Sequence, residues 1–187
     1  ADKQAKAKIR HAEGAQAEYK KALLLVTPAQ KEERADVYVR IGRVKLLQDK
    51  RREAISNFEK ATQLSPNHRP ALEEIAKLSA EERDWRGVAA TEEKILATLV
   101  DADARFARLM EFGERWANVA YDTDRALSAL LQAREIKPDH LGVLAELARI
   151  HEATGAHDEA FALRCEIADK TESGQARATL YAALGKT

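Results

Sequence analysis

Large, large and small residues recur in one order along this chain. They stand as Val37-Tyr38-Val39-Arg40-Ile41-Gly42, Ala71-Leu72-Glu73-Glu74-Ile75-Ala76, Arg108-Leu109-Met110-Glu111-Phe112-Gly113 and Val143-Leu144-Ala145-Glu146-Leu147-Ala148. Apolar residues three and four apart mark one face of a helix. The last slot is always Gly or Ala, which suits a place where a partner helix passes too closely for a longer side chain. A second helical stretch follows each segment, opening at Ala54, Val88, Ala126 and Ala160. The pattern predicts helices near 2–26, 34–48, 51–64, 69–82, 85–98, 102–119, 123–136, 140–153, 156–169 and 174–185, and no strand.

The interval is close to 34 residues, and its fullest copy reads Tyr38-x2-Ile41-Gly42, then Ala54-x3-Phe58-x2-Ala61, then Pro66. This resembles the tetratricopeptide repeat family, helix-turn-helix units with small residues at the crossing and a proline at the exit. The resemblance implies an all-α, right-handed solenoid of antiparallel helix pairs. It sets a partial repeat at 1–33, repeats at about 34–67, 68–101, 102–139 and 140–173, and a partial repeat or cap helix at 174–187. The Arg- and Ala-rich style looks like the long arrays of bacterial scaffold proteins.

A second regularity spans two repeats. Pro66 and Pro138 lie 138 − 66 = 72 residues apart, and the same offset pairs His68 with His140, Leu72 with Leu144, Ala76 with Ala148, Ile95 with Ile167, Arg105 with Arg177 and Gly113 with Gly185. Where Phe58 and Leu130 fill mid second helix, the even repeats carry Glu92 and Arg164. Charge there is expected to point to solvent or to shift its helix, leaving Val88, Ile95 and Leu99 to pack, with Trp85 covering the helix start. Gly113 to Ala126 is one residue longer than Gly42 to Ala54, so Tyr121–Asp124 is expected to form a wider turn, with Thr123 or Asp124 as the helix cap.

Ala15, Tyr19 and Ala22 repeat the spacing of Ala54, Phe58 and Ala61, so the first helix reads as the second helix of a repeat. Gly185 falls at the Gly113 position, inside the first helix of a fifth repeat. Together the ends suggest a piece of a longer array, the alternative at the C-terminus being a solvating cap helix.

Composition narrows the function. Lys plus Arg and Asp plus Glu both number 31, for a net charge of zero, so no basic excess exists to neutralise a nucleic acid backbone. The longest aliphatic run, Ala22–Val26, is far short of the ~20 residues a membrane span needs. Aromatic residues make up only 5%, too few to line a wide ligand cavity. Cys165 is the single cysteine, and the absence of a disulfide framework favours a reducing, cytoplasmic setting.

No nucleophile has a base at a telling distance, and no glycine run cradles phosphate, so neither an enzyme activity nor a cofactor is expected. His68 and His140 hold equivalent loop positions two repeats apart and cannot share an ion, while His151 and His157 lack zinc-like spacing and read as ordinary exposed histidines, leaving no metal site. Trp85 and Trp116 read as packing residues rather than partner anchors.

The family resemblance implies a concave groove lined by first helices, binding a partner peptide or helix. Its co-chaperone members grip a terminal carboxylate through slots that here hold Val39, Arg43, Glu74, Ala107 and Glu111, a set with one cation and two repelling carboxylates. Its asparagine-ladder slot instead holds Arg40, Glu74, Glu111 and Glu146, followed three residues on by Arg43, Lys77, Glu114 and Arg149. These eight, with Met110 beside them, are the candidate partner-binding residues. Glu74 with Lys77 and Glu146 with Arg149 could equally be surface ion pairs. Read functionally, they make a groove basic near Arg40 and Arg43 and acidic near Glu111 and Glu114, suited to a protein partner with basic residues. The rival readings are an accessory segment of a larger enzyme and a module that stacks end to end on itself.

Overall fold

The computed structural model describes residues 2–171, the first twelve of them by backbone alone, together with Ala178 and Ala182, both helical. Of the expected helix at 174–185 everything else lies outside the described residues. Contacts divide the chain into two units, Ala1–Thr98 and Leu99–Thr187. The first holds α1 (Asp2–Leu25), α2 (Lys31–Leu47), α3 (Arg51–Leu64), α4 (Arg69–Glu81) and α5 (Trp85–Thr98). The second holds α6 (Ala102–Arg115), a π-helical turn (Trp116–Ala120), α7 (Thr123–Ile136), α8 (Leu141–Ala153) and α9 (His157–Lys170). Among the described residues the fold is all helical, and each expected helix that lies within them ends within a few residues of its predicted bounds.

The pairing α2·α3, α4·α5, α6·α7 and α8·α9 follows from one stop signal after each first helix. Asp49, Arg83 and Gly155 all have positive φ, at 58°, 58° and 79°. The next amide then reaches back to the last turn: Lys50 N–H to Lys45 O at 2.9 Å, Asp84 N–H to Ser79 O at 2.9 Å, and Ala156 N–H to His151 O at 2.8 Å. This left-handed reversal satisfies carbonyls the helix end would orphan. Only Gly adopts it without a steric cost, and Asp tolerates it better than a long side chain. Arg83→Gly should therefore raise unfolding stability by about 0.5–1 kcal/mol, and Gly155→Ala should lower it similarly, in urea titrations followed by circular dichroism.

The second helices stop differently. Ser65-Pro66-Asn67-His68 and Lys137-Pro138-Asp139-His140 each form a turn closed from residue four to residue one, at 3.0 and 3.2 Å. Each turn ends in a histidine whose Nδ1 accepts from the first turn of the next helix, Ala71 N–H at 3.4 Å and Val143 N–H at 3.3 Å. The histidines thus act as helix caps. His68 is buried, and its Nε2 also meets Asp36 Oδ1 at 3.2 Å on α2. His140 stays exposed and lies against Phe106, ring centroids 4.8 Å apart.

The small residues stand where two helices cross. A Cβ built on Gly42 would collide with the Phe58 ring, and one on Gly113 would sit 2.8 Å from Leu130 Cγ. Ala54 and Ala126, on the opposite helices, are fully buried. In the first unit Ala35, Val39, Ala54, Phe58, Ala61, Ala71 and Leu78 form one core cluster, with Tyr38, Leu46 and Ile75 against it.

Three expectations need correction. Glu92 is 4% exposed, neither turned to solvent nor accompanied by a shifted helix, since Val88 and Ile95 beside it are fully buried as expected. Its equivalent Arg164 is half-buried and bonds Glu152 at 2.8 Å. The extra residue of the third repeat is absorbed before the turn, in the π-helical Trp116–Ala120, and Tyr121 then reverses the chain at φ 57°. With the chain reversing there, the α7 cap falls to Asp122, whose carboxylate accepts from Arg125 N–H at 3.0 Å, rather than to Thr123 or Asp124.

Candidate functional site

Ion pairs in each unit reach across one repeat. Arg43 Nε meets Glu74 Oε1 at 2.6 Å, tying α2 to α4. Arg51, at the start of α3, donates to Glu82, Glu81 and the Leu78 carbonyl at 2.8, 2.7 and 2.9 Å, closing the end of α4. In the second unit Lys137 meets Asp103 at 2.6 Å, Arg134 meets Glu166 at 2.7 Å and Lys170 meets Asp139 at 2.6 Å. The ion-pair partners stand 30 to 34 positions apart, so the charges follow the repeat and stitch neighbouring hairpins. Lys137 holds the Asp103 carboxyl below its usual range, and Asp139 holds the Lys170 ammonium above its own. Apart from the largely covered Glu74, these groups are partly or fully open to water, where such pairs are worth ~0–1 kcal/mol.

The candidate residues divide between the units. On α2 and α4 of the first, Arg40, Arg43 and Lys77 are exposed, while the Glu74 side chain is only 16% exposed against Arg43. The expected Glu74–Lys77 pair does not form, because the arginine one repeat back reaches Glu74 first. Neither Arg40 nor Lys77 has an ion-pair partner among the described residues.

On α6 and α8 of the second unit, Glu111 is shared by Arg108 at 2.8 Å and Arg115 at 2.9 Å, three and four residues away. Arg115 was not among the residues the pattern singled out. Its i,i+4 spacing from Glu111 was the signal. Glu146 pairs with Arg149 at 2.8 Å, as the spacing suggested. Glu114 is exposed with no ion pair among the described residues, and Met110 is half-buried. The acidic slots are thus largely neutralised in place.

Other candidate chemistry stays in structural roles. Trp116 is 3% exposed, with the Arg125 guanidinium 5.0 Å above its ring, and Trp85 is half-buried. Cys165 is half-buried. His157 Nδ1 stands 3.6 Å from Glu152, and no cluster of three metal-ligating side chains occurs among the described residues. Among them, too, no helix is long and apolar enough to cross a membrane.

Known proteins place this arrangement. Residues 35–68, the stretch from Ala35 to the His68 cap, match the tetratricopeptide repeat family. That stretch is similar to one tetratricopeptide repeat. Solved structures extend the fold likeness along the rest. MamA aligns with a TM-score of 0.55 and 19% identity, over 85% of this chain and 88% of its own. PilF of Pseudomonas aeruginosa gives 0.55 and 14%, over 99% and 84%. YrrB, described as a tetratricopeptide repeat protein with an unusual peptide-binding site, gives 0.51 and 18%, over 88% and 82%. At these identities the likeness is one of fold. No curated protein matches by sequence. The likeness extends the helix-pair fold of that one matched repeat along both units.

Proposed function

We propose that this tetratricopeptide repeat chain is a non-catalytic scaffold that binds a partner peptide or helix on the surfaces of its first helices. The observation that carries the reading is the division of labour within each helix pair. The small residues and large apolar side chains face the partner helix, leaving Arg40, Arg43 and Lys77 in one unit and Glu111, Glu114 and Arg149 in the other turned to water. YrrB, of similar fold, is named for a peptide-binding site, which supports the same use here. Glu114, exposed with no ion pair among the described residues, suits a partner segment with Lys or Arg, acting chiefly on encounter rate and specificity.

The test is comparative capture from the source organism with the full chain as bait. Arg40→Glu, Lys77→Glu, Glu114→Lys and Arg149→Glu combined should lose at least ten-fold of the captured partner. A control with Lys60→Glu and Glu93→Lys, exposed on second helices, should retain it. Equal loss in both, or in neither, would refute binding through the first helices.

A further inference from the structure

We infer that the first unit selects an acidic segment of its partner, through Arg40, Arg43 and Lys77. The inference rests on the proposed use of the first helices and adds the chemistry of the ligand.

Glutamate in the Glu74 slot suggests, in sequence, an acidic surface that favours cations. The structure reverses this for the first unit. Glu74 is held by Arg43 at 2.6 Å, and its side chain is the most covered of the charged groups on this face. The neighbouring carboxylates are engaged too. Asp36 binds the buried His68, Glu73 lies 3.6 Å from Arg69, and Glu81 binds Arg51. Each of the three thus has a partner within the unit.

The cations are not matched in the same way. Arg40 stands one helical turn before Arg43 on α2, and Lys77 one turn after Glu74 on α4, so the two flank the central ion pair on opposite sides. Both are exposed, and neither has an ion pair among the described residues. Arg43 keeps 54% of its side chain accessible despite its bond. The middle of the face therefore offers three exposed cations around the bonded Glu74, while Glu33, two turns before Arg40 on α2, is an exposed carboxylate without an ion pair among the described residues. One turn beyond Arg43, Leu47 is 67% exposed and adds an apolar contact on the same stripe.

An extended segment rises ~3.3 Å per residue, so Asp or Glu side chains three or four positions apart would reach both Arg40 and Lys77. A guanidinium offers bidentate donors to each carboxylate, and the complementary charge discriminates against cationic segments.

Glu74 makes the inference sharply testable. It competes with the ligand for Arg43, so removing its charge should strengthen acidic binding rather than weaken it. Three fluorescein-labelled twelve-residue peptides, with Glu, Gln or Lys at every third position and Leu between, would be titrated against the full chain by anisotropy at two salt concentrations. The Glu peptide is expected to bind at least ten-fold tighter than the uncharged Gln peptide, with an advantage that shrinks at high salt. Arg40→Gln with Lys77→Gln should weaken it at least ten-fold. Glu74→Gln should tighten it two- to five-fold, with circular dichroism unchanged in both variants. Glu-peptide binding no tighter than Gln-peptide binding, or weaker Glu-peptide binding in Glu74→Gln, would overturn the inference. Equal binding of all three peptides, lost on mutating the first-helix face, would overturn the charge selection and leave the binding surface standing. Failure of every peptide to bind would count against both.

Discussion

Phe58→Ala should lower unfolding stability by about 3–5 kcal/mol, the usual range for truncating a buried aromatic ring. Phe58 has no accessible surface, and its ring fills the space left by Gly42 on the facing helix. Truncation removes apolar contact and leaves a void that two crossing helices cannot close, because their spacing is fixed by Gly42, Ala54 and Ala61 on either side. A loss of that size is a large share of the ~5–15 kcal/mol that holds a typical domain folded. Phe161, 50% exposed on α9, provides the control, and Phe161→Ala should change stability by no more than ~0.5 kcal/mol. Urea unfolding monitored by circular dichroism compares them. Similar midpoints for the two variants would mean that Phe58 is not the residue packed in the crossing.

The contrast between these phenylalanines was legible in the sequence. Phe58 occupies a slot that Leu130 fills 72 residues later, between alanines at fixed offsets, whereas Phe161 follows Ala160 outside that pattern. Periodicity carries such information because a repeat buries the same positions each time it stacks. Helix bounds were legible for the same reason, each first helix stopping at one left-handed residue and the odd second helices at a proline turn. Glu92 shows the limit. A charge in an apolar slot predicts exposure only if its helix can turn away, and Val88 and Ile95, both fully buried, fix α5 in register.

The charged surface was less legible, because side-chain length decides which partner is met. Glu74 has Lys77 three residues along its own helix and Arg43 31 residues back, and local spacing favours the first. The longer arginine, already placed one repeat away, takes the bond. The role of His68 was hidden for a related reason. Read alone it is a loop histidine, but the turn before it aims Nδ1 at the next helix and Nε2 at Asp36. The extra residue before Ala126 was visible as a count. That it would widen α6 into a π turn rather than lengthen the loop depended on Trp116, buried at 3% exposure and held under Arg125. The candidate binding residues were thus findable as positions, while the sign of charge they present required the three-dimensional pairing.

Ala54→Leu and Ala126→Leu should each cost about 1–3 kcal/mol, by overpacking rather than by loss of contact. Both alanines have no accessible surface and open the second helix of a pair, where the first helix passes closely enough that Gly42 and Gly113 admit no side chain. Extra methylenes must push the helices apart or force neighbouring side chains off their rotamers, since a close-packed interior has no spare volume to absorb them. Leu is nearly as good a helix former as Ala, so helix propensity contributes little to the loss. Ala90→Leu, on the exposed face of α5, isolates that contribution and should leave stability within ~0.5 kcal/mol. Because Ala54 and Ala126 belong to separate units, the double variant should lose the sum of the single losses. Melting temperatures and urea midpoints of the four proteins decide the matter. If Ala54→Leu and Ala126→Leu melt with Ala90→Leu, the alanines do not sit at the crossings, and the register that places Gly42 against Phe58 is wrong.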